Sequence, residues 1–357
     1  MKVIHVAPFV EGGYSGGMQR YVTELVREQR CAGIDASVYT VRLTDDVCVP
    51  NVPTAGRRAA IVWQRTPVHP LLPKDLRNIE ADIVHLHSHS PTLEAALLIA
   101  QPKAPRLVVT VHNDLPQTTR LFRALGGLEH NILARVLRRA DAVIMPHEAF
   151  AADVGRRFRL EPGNSRLRIV PPGVDHTRFR DLGLERDSDT VLFVGHVRPE
   201  KGLHVLVEAM AHLPPRRLEV VAAVSYESKY YEGVKRLAAS LLGERAVFRE
   251  NLTPDQLAQA YNRAGVVVAP SLGLESWNLV LLEAAATGAA CVRTDLPGLR
   301  WADFAVEAPA GDAKALADAI ETAIAHRNEL GCKGKERAHE YSWDRTGRET
   351  LAAYVAA

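Results

Sequence analysis

At 357 residues the chain is too long for one ordinary domain, and a prior of roughly 150 residues per domain points to two. Hydrophobic residues make up 47% and charged residues 24%, near the globular average, which excludes general disorder. Lys and Arg number 44 against 42 Asp and Glu. A formal charge of +2 lacks the basic footprint of a nucleic-acid binder, and 6% aromatics argue against a module built on exposed stacking rings.

Cys31, Cys48, Cys291 and Cys332 form no C-x-x-C pair and fit no zinc spacing, so four reduced thiols in a cytoplasmic protein are expected. The apolar run near the start is too short for a signal h-region, and no stretch approaches the ~18 apolar residues of a membrane span.

In chain order, the first apolar runs, residues 3–7 and 36–41, read as buried strands, with a helical pattern at Val22, Leu25, Val26 and Gln29 between them. Residues 83–86, 107–111, 142–145 and 168–170 continue the strand series. Strands alternating with helices imply a parallel sheet with helices on both faces. Pro171-Pro172-Gly173 interrupts the pattern, and the polar stretch that follows reads as a linker over about 171–189. A second series then runs through strands at 191–194, 219–223, 246–248, 266–269 and 291–293, with helices after Lys201, Ser228, Thr253, Leu279 and Asp312. Thr253-Pro254-Asp255-Gln256 is a capping box with Pro at the first helical position. The fold class expected is α/β, with two doubly wound parallel-sheet domains, Rossmann-like, facing each other across a cleft. Ligands of such sheets sit at the carboxyl ends of the strands.

Four constellations could carry chemistry. Gly12-Gly13-Tyr14-Ser15-Gly16-Gly17 precedes a helix, where backbone N–H groups favour an anion, though a flexible turn would carry the same letters. Gly195-His196-Val197-Arg198-Pro199-Glu200-Lys201-Gly202 brings three potential cations to a strand end, where a phosphate or plain solvent would suit them. Glu275 and Glu283 stand eight apart, just over two helical turns if the helix starts near Ser276, so both would point to similar sides and accept from sugar hydroxyls. The bland alternative is a helix-cap carboxylate plus a surface Glu, although Glu283 lies in an apolar run where burial needs a partner. His112 ends a strand of the first domain. Nearby, His85, His87 and His89 alternate, which places them on one strand face with Asp82 on the other; metal is not expected there. Asp187-Ser188-Asp189 matches D-x-D by letters only and reads as a solvated turn before a strand.

Taken together these segments resemble the retaining glycosyltransferases of family 4 (glycosyl transferases group 1), which have the two-domain GT-B fold. Pro270-Ser271 through Glu283, continuing to Gly288, is similar to the E-x7-E segment of that family. Asp82–His85, 140–144, Pro171–Asp175, Pro309–Asp312 and Tyr341-Ser342-Trp343 also resemble it, so the likeness covers nearly the whole chain.

The resemblance implies an acceptor-binding domain at 1–174, a nucleotide-sugar-binding domain at 175–342, and a helix at 343–357 crossing back to the first. It implies that Glu283 accepts from ribose, that Glu275 holds the transferred sugar, and that Lys201 neutralises the departing diphosphate. N–H groups around Asn278, Leu279 and Val280, with Gly17, would bind that diphosphate, and His112 would contact the donor sugar. His196 stands where the family has Arg, with Arg198 as a substitute; Trp277-Asn278 replaces Phe-Gly, and Asn tolerates a left-handed turn better than most residues.

The implied activity is transfer from a nucleoside-diphosphate sugar, with a UDP-sugar favoured and a GDP-sugar left open, to a glycan, lipid-linked glycan or small-molecule hydroxyl. The sugar is a co-substrate, no cofactor or metal is called for, and no nucleic acid is a partner. A nucleotide-sugar epimerase and a non-catalytic nucleotide-sugar-binding protein stay open as alternatives. Residues 120–139 mix apolar residues with five arginines. This leaves open a peripheral contact at the inner face of a membrane, against the simpler reading of a helix packed on the first sheet.

Overall fold

A computed structural model describes residues 1–8, 16–42, 51–63, 66–88, 90–112, 120–160, 163–222, 229–273 and 275–356. Gly12–Ser15, His89 and the helix-leading Ser228 lie outside these residues. The chain divides into two compact units: unit 1 comprises Met1–Pro172 with Trp343–Ala357, and unit 2 comprises Gly173–Ser342.

The strands of unit 1 are β1 (Lys2–Pro8), β2 (Asp35–Arg42), β3 (Thr54–Arg58), the hairpin β4 (Ile61–Trp63) and β5 (Thr66–Val68), β6 (Ile83–Ser88), β7 (Arg106–Val111), β8 (Ala142–Met145) and β9 (Leu167–Ile169). Its helices are α1 (Gly17–Cys31), α2 (Leu72–Arg77), α3 (Pro91–Ala100), α4 (Arg120–Arg139) and α5 (Glu148–Phe158). Seven strands form one parallel sheet in the order β3-β2-β1-β6-β7-β8-β9. Every residue of β6 is buried, because both faces of the sheet are covered. On one face Val84, Leu86, Val109 and Val143 join α2 to α5. On the other, Val3, Ile83, Val108 and Ile144 pack with Val22 and Val26 of α1. The second half of α4 faces this core through Leu133, Val136 and Leu137, as a helix packed on the sheet would. Among the described residues, no helix is long and apolar enough to cross a membrane.

Unit 2 has strands β10 (Asp187–Gly195), β11 (Arg217–Ala222), β12 (Ala246–Glu250), β13 (Ala264–Ala269), β14 (Ala290–Thr294) and β15 (Val306–Ala308). Its helices are α6 (Leu203–Ala211), α7 (Lys229–Leu242), α8 (Pro254–Arg263), α9 (Leu279–Ala286), α10 (Ala313–Ala325) and α11 (Arg327–His339). The sheet is parallel, in the order β12-β11-β10-β13-β14-β15. The capping box at Thr253 forms: its hydroxyl accepts from the Gln256 N–H, and the Gln256 side chain accepts from the Thr253 N–H at 2.9 Å. The last helix, α12 (Trp343–Val355), belongs to unit 1 and buries Tyr354 completely.

Two expectations need correction. The polar stretch after Asp175 is packed into unit 2: Phe179 is buried edge-to-face on Tyr261, and the Leu182 N–H donates to Asn262 Oδ1 at 2.8 Å. Asp187-Ser188-Asp189 is the opening of β10, where Asp187 accepts from Thr190 Oγ1 at 2.6 Å.

Candidate active site

In unit 2 the neighbours β10 and β13 lead in opposite directions, β10 on to β11 and β13 on to β14. Their carboxyl ends therefore flank a topological switch point, where doubly wound sheets bind ligands. The segment after β10 is Gly195–Gly202 and the one after β13 is Pro270–Asn278. The Leu272 N–H donates to the Glu200 carbonyl at 2.8 Å, tying the two together. Gly202 has φ +68°, and a Cβ there would lie 1.8 Å from the Pro270 carbonyl oxygen. Only glycine permits that approach.

The approach brings Lys201 to Glu275, 74 residues on: Nζ lies 2.7 Å from Oε1. Ser271 Oγ donates to the same oxygen at 2.5 Å and Asn278 Nδ2 at 3.1 Å. Three donors thus converge on one carboxylate oxygen whose side chain is 5% exposed. Lys201 ends a short 3-10 turn (Pro199–Lys201), and its side chain is 30% exposed, so it is half-covered and paired.

The helix after Glu275 starts at Leu279, not near Ser276, because Asn278 takes φ +72° and ends the loop. Asn278 occupies the left-handed region that its residue type tolerates. Its Oδ1 accepts from the Leu281 N–H at 3.3 Å while its amide holds Glu275. The first N–H groups of a helix have no intrahelical acceptor, so those of Leu279 and Val280 suit an anion. Glu275 and Glu283 are consequently not two positions of one helix.

Glu283 is not a surface residue: it is 3% exposed, and Tyr261 donates to its Oε2 at 2.9 Å. Glu275 is not a helix cap. The loop between them is wedged by Trp277, which stacks on Trp301 with centroids 4.1 Å apart and lies edge-on to Tyr341. Arg198 lies 3.9 Å from Glu200. Its N–H donates to the His196 carbonyl at 3.1 Å, so the segment turns there, and simple strand alternation does not relate the two side chains.

In unit 1, Gly17 is the exposed first residue of α1, whose first turn carries no acidic residue. His112 follows β7 and is part-buried. Asn113 and Asp114, next to it, lie outside the described residues. His112 Nε2 is 2.9 Å from His87 Nδ1, and its ring lies edge-on to Tyr21. His5 of β1 is in register with His85 of β6, and His87 follows two residues on, so all three share the face covered by α1 and α12. Burial pushes the imidazoles down, His5 to about 4 and His112 to about 3, with His85 and His87 well below their ordinary value. Ring nitrogens of His5, His85 and His87 lie within 4.8 Å of one another, close enough for an ion. Each instead has hydrogen-bond partners.

The sequence reading missed His5, Gln29, Tyr261, Ser271 and Tyr354 as parts of these clusters. A histidine inside an apolar strand run was the one signal available.

Two doubly wound units, one with a carboxylate–lysine cluster at its switch point, define a glycosyltransferase of the GT-B type. Residues 15–178 match the family model Glycosyltransferase Family 4, and residues 188–326 match Glycosyl transferases group 1. The chain belongs to this glycosyltransferase family. It is 27% identical to a phosphatidyl-myo-inositol mannosyltransferase of Mycolicibacterium smegmatis, over 95% of this chain and 90% of the relative. It is 29% identical to a D-inositol 3-phosphate glycosyltransferase of Acidothermus cellulolyticus, over 99% of this chain and 89% of the relative. In fold it is similar to sucrose-phosphate synthase from Thermosynechococcus elongatus, with TM-score 0.81, 22% identity, and 99% and 98% of the two chains covered. It is also similar to Anabaena HepE in complex with UDP-glucose, with TM-score 0.76, 17% identity, and 99% of each chain covered.

Proposed function

We propose that the chain transfers a sugar from a nucleoside-diphosphate sugar to a hydroxyl acceptor with retention of anomeric configuration. The observation that carries this reading is the convergence of Lys201, Ser271 and Asn278 on Glu275, beside the N-terminus of α9. When the bond between the anomeric carbon and the diphosphate breaks, negative charge grows on the leaving oxygen. Lys201 and the N–H groups of Leu279 and Val280 are fixed positive groups that stabilise it. The acceptor oxygen bonds to the anomeric carbon on the same face, and its proton passes to the departing phosphate. Glu275 holds the sugar and Glu283 the ribose; neither acts as a hydrolytic acid/base pair, which would flank the bond. Arg198 adds positive charge at the same strand end, beside His196. In unit 1, Gly17 and His112 are the groups assigned to ligand. With these cations in place the reaction runs without a metal.

Both inositol-directed relatives support a polyol as the acceptor, and the UDP-glucose complex of HepE supports a UDP-sugar as the donor. The test is a panel of UDP- and GDP-sugars against inositol, inositol phosphate and lipid-linked acceptors, with excess chelator present. Product NMR reads the anomeric configuration. Inverted product, or transfer that stops with chelator and returns with Mn²⁺ or Mg²⁺, overturns this mechanism. Conversion of the donor sugar without an acceptor would favour an epimerase.

A further inference from the structure

Unit 1 contains a buried hydrogen-bonded chain that the proposed reaction does not use directly. Gln29 Oε1 lies 2.8 Å from His5 Nε2, His5 Nδ1 lies 2.9 Å from His87 Nε2, and His87 Nδ1 lies 2.9 Å from His112 Nε2. A branch runs from the same amide: Gln29 Nε2 donates to the Tyr354 hydroxyl at 3.0 Å, which is 2.6 Å from His85 Nδ1. His85 Nε2 is 2.7 Å from Thr110 Oγ1. His5, His85, His87, Gln29 and Tyr354 are 0% exposed.

A neutral imidazole has one donor and one acceptor nitrogen, so the polarity of each link fixes the next. Gln29 donates through its amide nitrogen to Tyr354, which leaves its oxygen to accept from His5 Nε2–H. His5 Nδ1 must then accept from His87 Nε2–H, and His87 Nδ1 from His112 Nε2–H. On the branch, Tyr354 donates to His85 Nδ1, and His85 Nε2–H donates to Thr110. Turning the Gln29 amide over would reverse every link at once. The chain from Gln29 through His5 and His87 to His112 therefore has two proton orders.

Resting on the assignment of His112 as a sugar contact, we propose that Gln29, His5 and His87 are positioning residues that hold His112 as a neutral imidazole with its proton on Nε2. Its Nδ1 is then an acceptor, and whatever group meets it must donate. A sugar hydroxyl satisfies that condition and a phosphate oxygen does not, so a ligand contact made at Nδ1 is a contact to a hydroxyl. The chain is not a route for protons, because it ends on an amide oxygen that does not take up a proton near neutral pH. Burial alone would keep the four rings uncharged, but only the hydrogen-bond order decides which nitrogen carries the proton.

Long-range ¹H–¹⁵N correlation of the full chain with ¹⁵N-labelled histidine, at pH 7.5 and without substrate, tests this. Expected are protonated Nε2 and bare Nδ1 at His5, His85, His87 and His112; protonated Nδ1 at His112 overturns the relay. The spectrum judges the relay even if the chain transfers no sugar. Gln29→Leu removes the acceptor that sets the order, so His112 should become a mixture of tautomers. Gln29→Glu accepts from both neighbours, so His112 should keep its order while His85 alone moves its proton to Nδ1. Where transfer is measured, Gln29→Leu should lower kcat about tenfold with the donor KM within about twofold, as loss of one oriented contact does. A scrambled His112 with unchanged kcat overturns the positioning role. Equimolar Zn²⁺ should leave all four rings unmoved, and displacement of their protons by the ion overturns the relay.

Discussion

The two units bury polar groups by opposite means. Unit 1 keeps its imidazoles uncharged and satisfies them with one another, with an amide and with hydroxyls. Unit 2 buries the carboxylates of Glu275 and Glu283 and satisfies them with an ammonium, hydroxyls and an amide. A neutral network needs no counter-ion but fails when protons are forced onto it. A carboxylate cluster held by specific donors fails when a partner is deleted. Acid and mutation should therefore strike different units.

The largest expected effect is on unit 1 in acid. His5, His85, His87 and His112 are depressed when folded and return to about 6.5 when unfolded. The unfolded chain thus binds protons that the folded chain refuses. The stability contributed is whole above about pH 6.5 and is lost as pH falls below it, by about 1.4 kcal/mol per histidine per pH unit. Glu94 acts in the opposite sense. Burial raises its carboxyl to about 7, so folding regains stability as pH falls from there toward its ordinary 4.5. Burial also raises the carboxyls of Glu28 and Glu129, which act in the same sense as Glu94, so four histidines against Glu94 alone set an upper bound of about 4 kcal/mol per pH unit. Hydrogen exchange at pH 7.5 and 5.5, corrected for intrinsic rates, should show β1 and β6 losing protection while β10 and β13 keep theirs. Equal loss in both units would break the comparison.

Next in size is Lys201→Ala, which should lower turnover by about tenfold to a thousandfold, the range for one electrostatic stabiliser. Pairing with Glu275 adds a stability effect that an exposed lysine would not have. Ser271 and Asn278 still serve the carboxylate, so about 1 kcal/mol should be lost, at the low end for an under-satisfied buried acceptor. Steady-state kinetics and urea unfolding check the two parts, and near-normal turnover would remove Lys201 from the mechanism.

The two carboxylates should separate by ligand. Glu283→Gln should weaken binding of a nucleotide sugar and of the free nucleoside diphosphate alike, by about tenfold to a hundredfold for one charged hydrogen bond. Glu275→Gln should weaken only the ligand that carries the sugar. Calorimetry with both ligands on both variants decides, and equal losses would mean the roles are misassigned.

The smallest effect sharpens the picture of the loop. Asn278→Ala loses the cap of α9 and takes a poor residue into φ +72°, for about 1–3 kcal/mol together. Asn278→Gly fits the backbone and should lose only a few tenths in stability. Both remove a donor from Glu275, so both should weaken sugar-bearing ligands equally. Alanine proving as stable as glycine would show that the backbone at 278 is not constrained.

The parts of the fold that were legible are those with local causes. Buried strands announced themselves as apolar runs, and the Thr253 cap by four consecutive letters. The edge strand β3, Thr-Ala-Gly-Arg-Arg, has no apolar period, since an edge strand is held by its neighbour's backbone and not by its own pattern. The short β15 and the weakly patterned α11 escaped for similar reasons. The polar partners were harder still. Tyr261 lies 22 residues from Glu283, and Tyr354 lies 269 from His85. Nothing local distinguishes a tyrosine that fills a core from one that also orients a carboxylate. The strand-and-helix series put a helix at Leu279, but the eight-residue spacing of Glu275 and Glu283 on one helix failed, because Asn278 in the left-handed region opens α9 there and leaves Glu275 in the loop.

Unit 2 is continuous in sequence, whereas unit 1 is completed by α12, which supplies Tyr354 to Gln29 and His85. On the ribosome this inverts the order of maturation. All of residues 173–342 are made before Tyr354 emerges, so the unit synthesised second can close its core first. The first-made sheet must wait, with His5 and His85 in place but their hydroxyl partner still inside the exit tunnel. Chains ending at residue 342 and carried on a linker long enough to span the tunnel should give a protease-resistant unit 2 beside an open unit 1, and extending synthesis through α12 should close it.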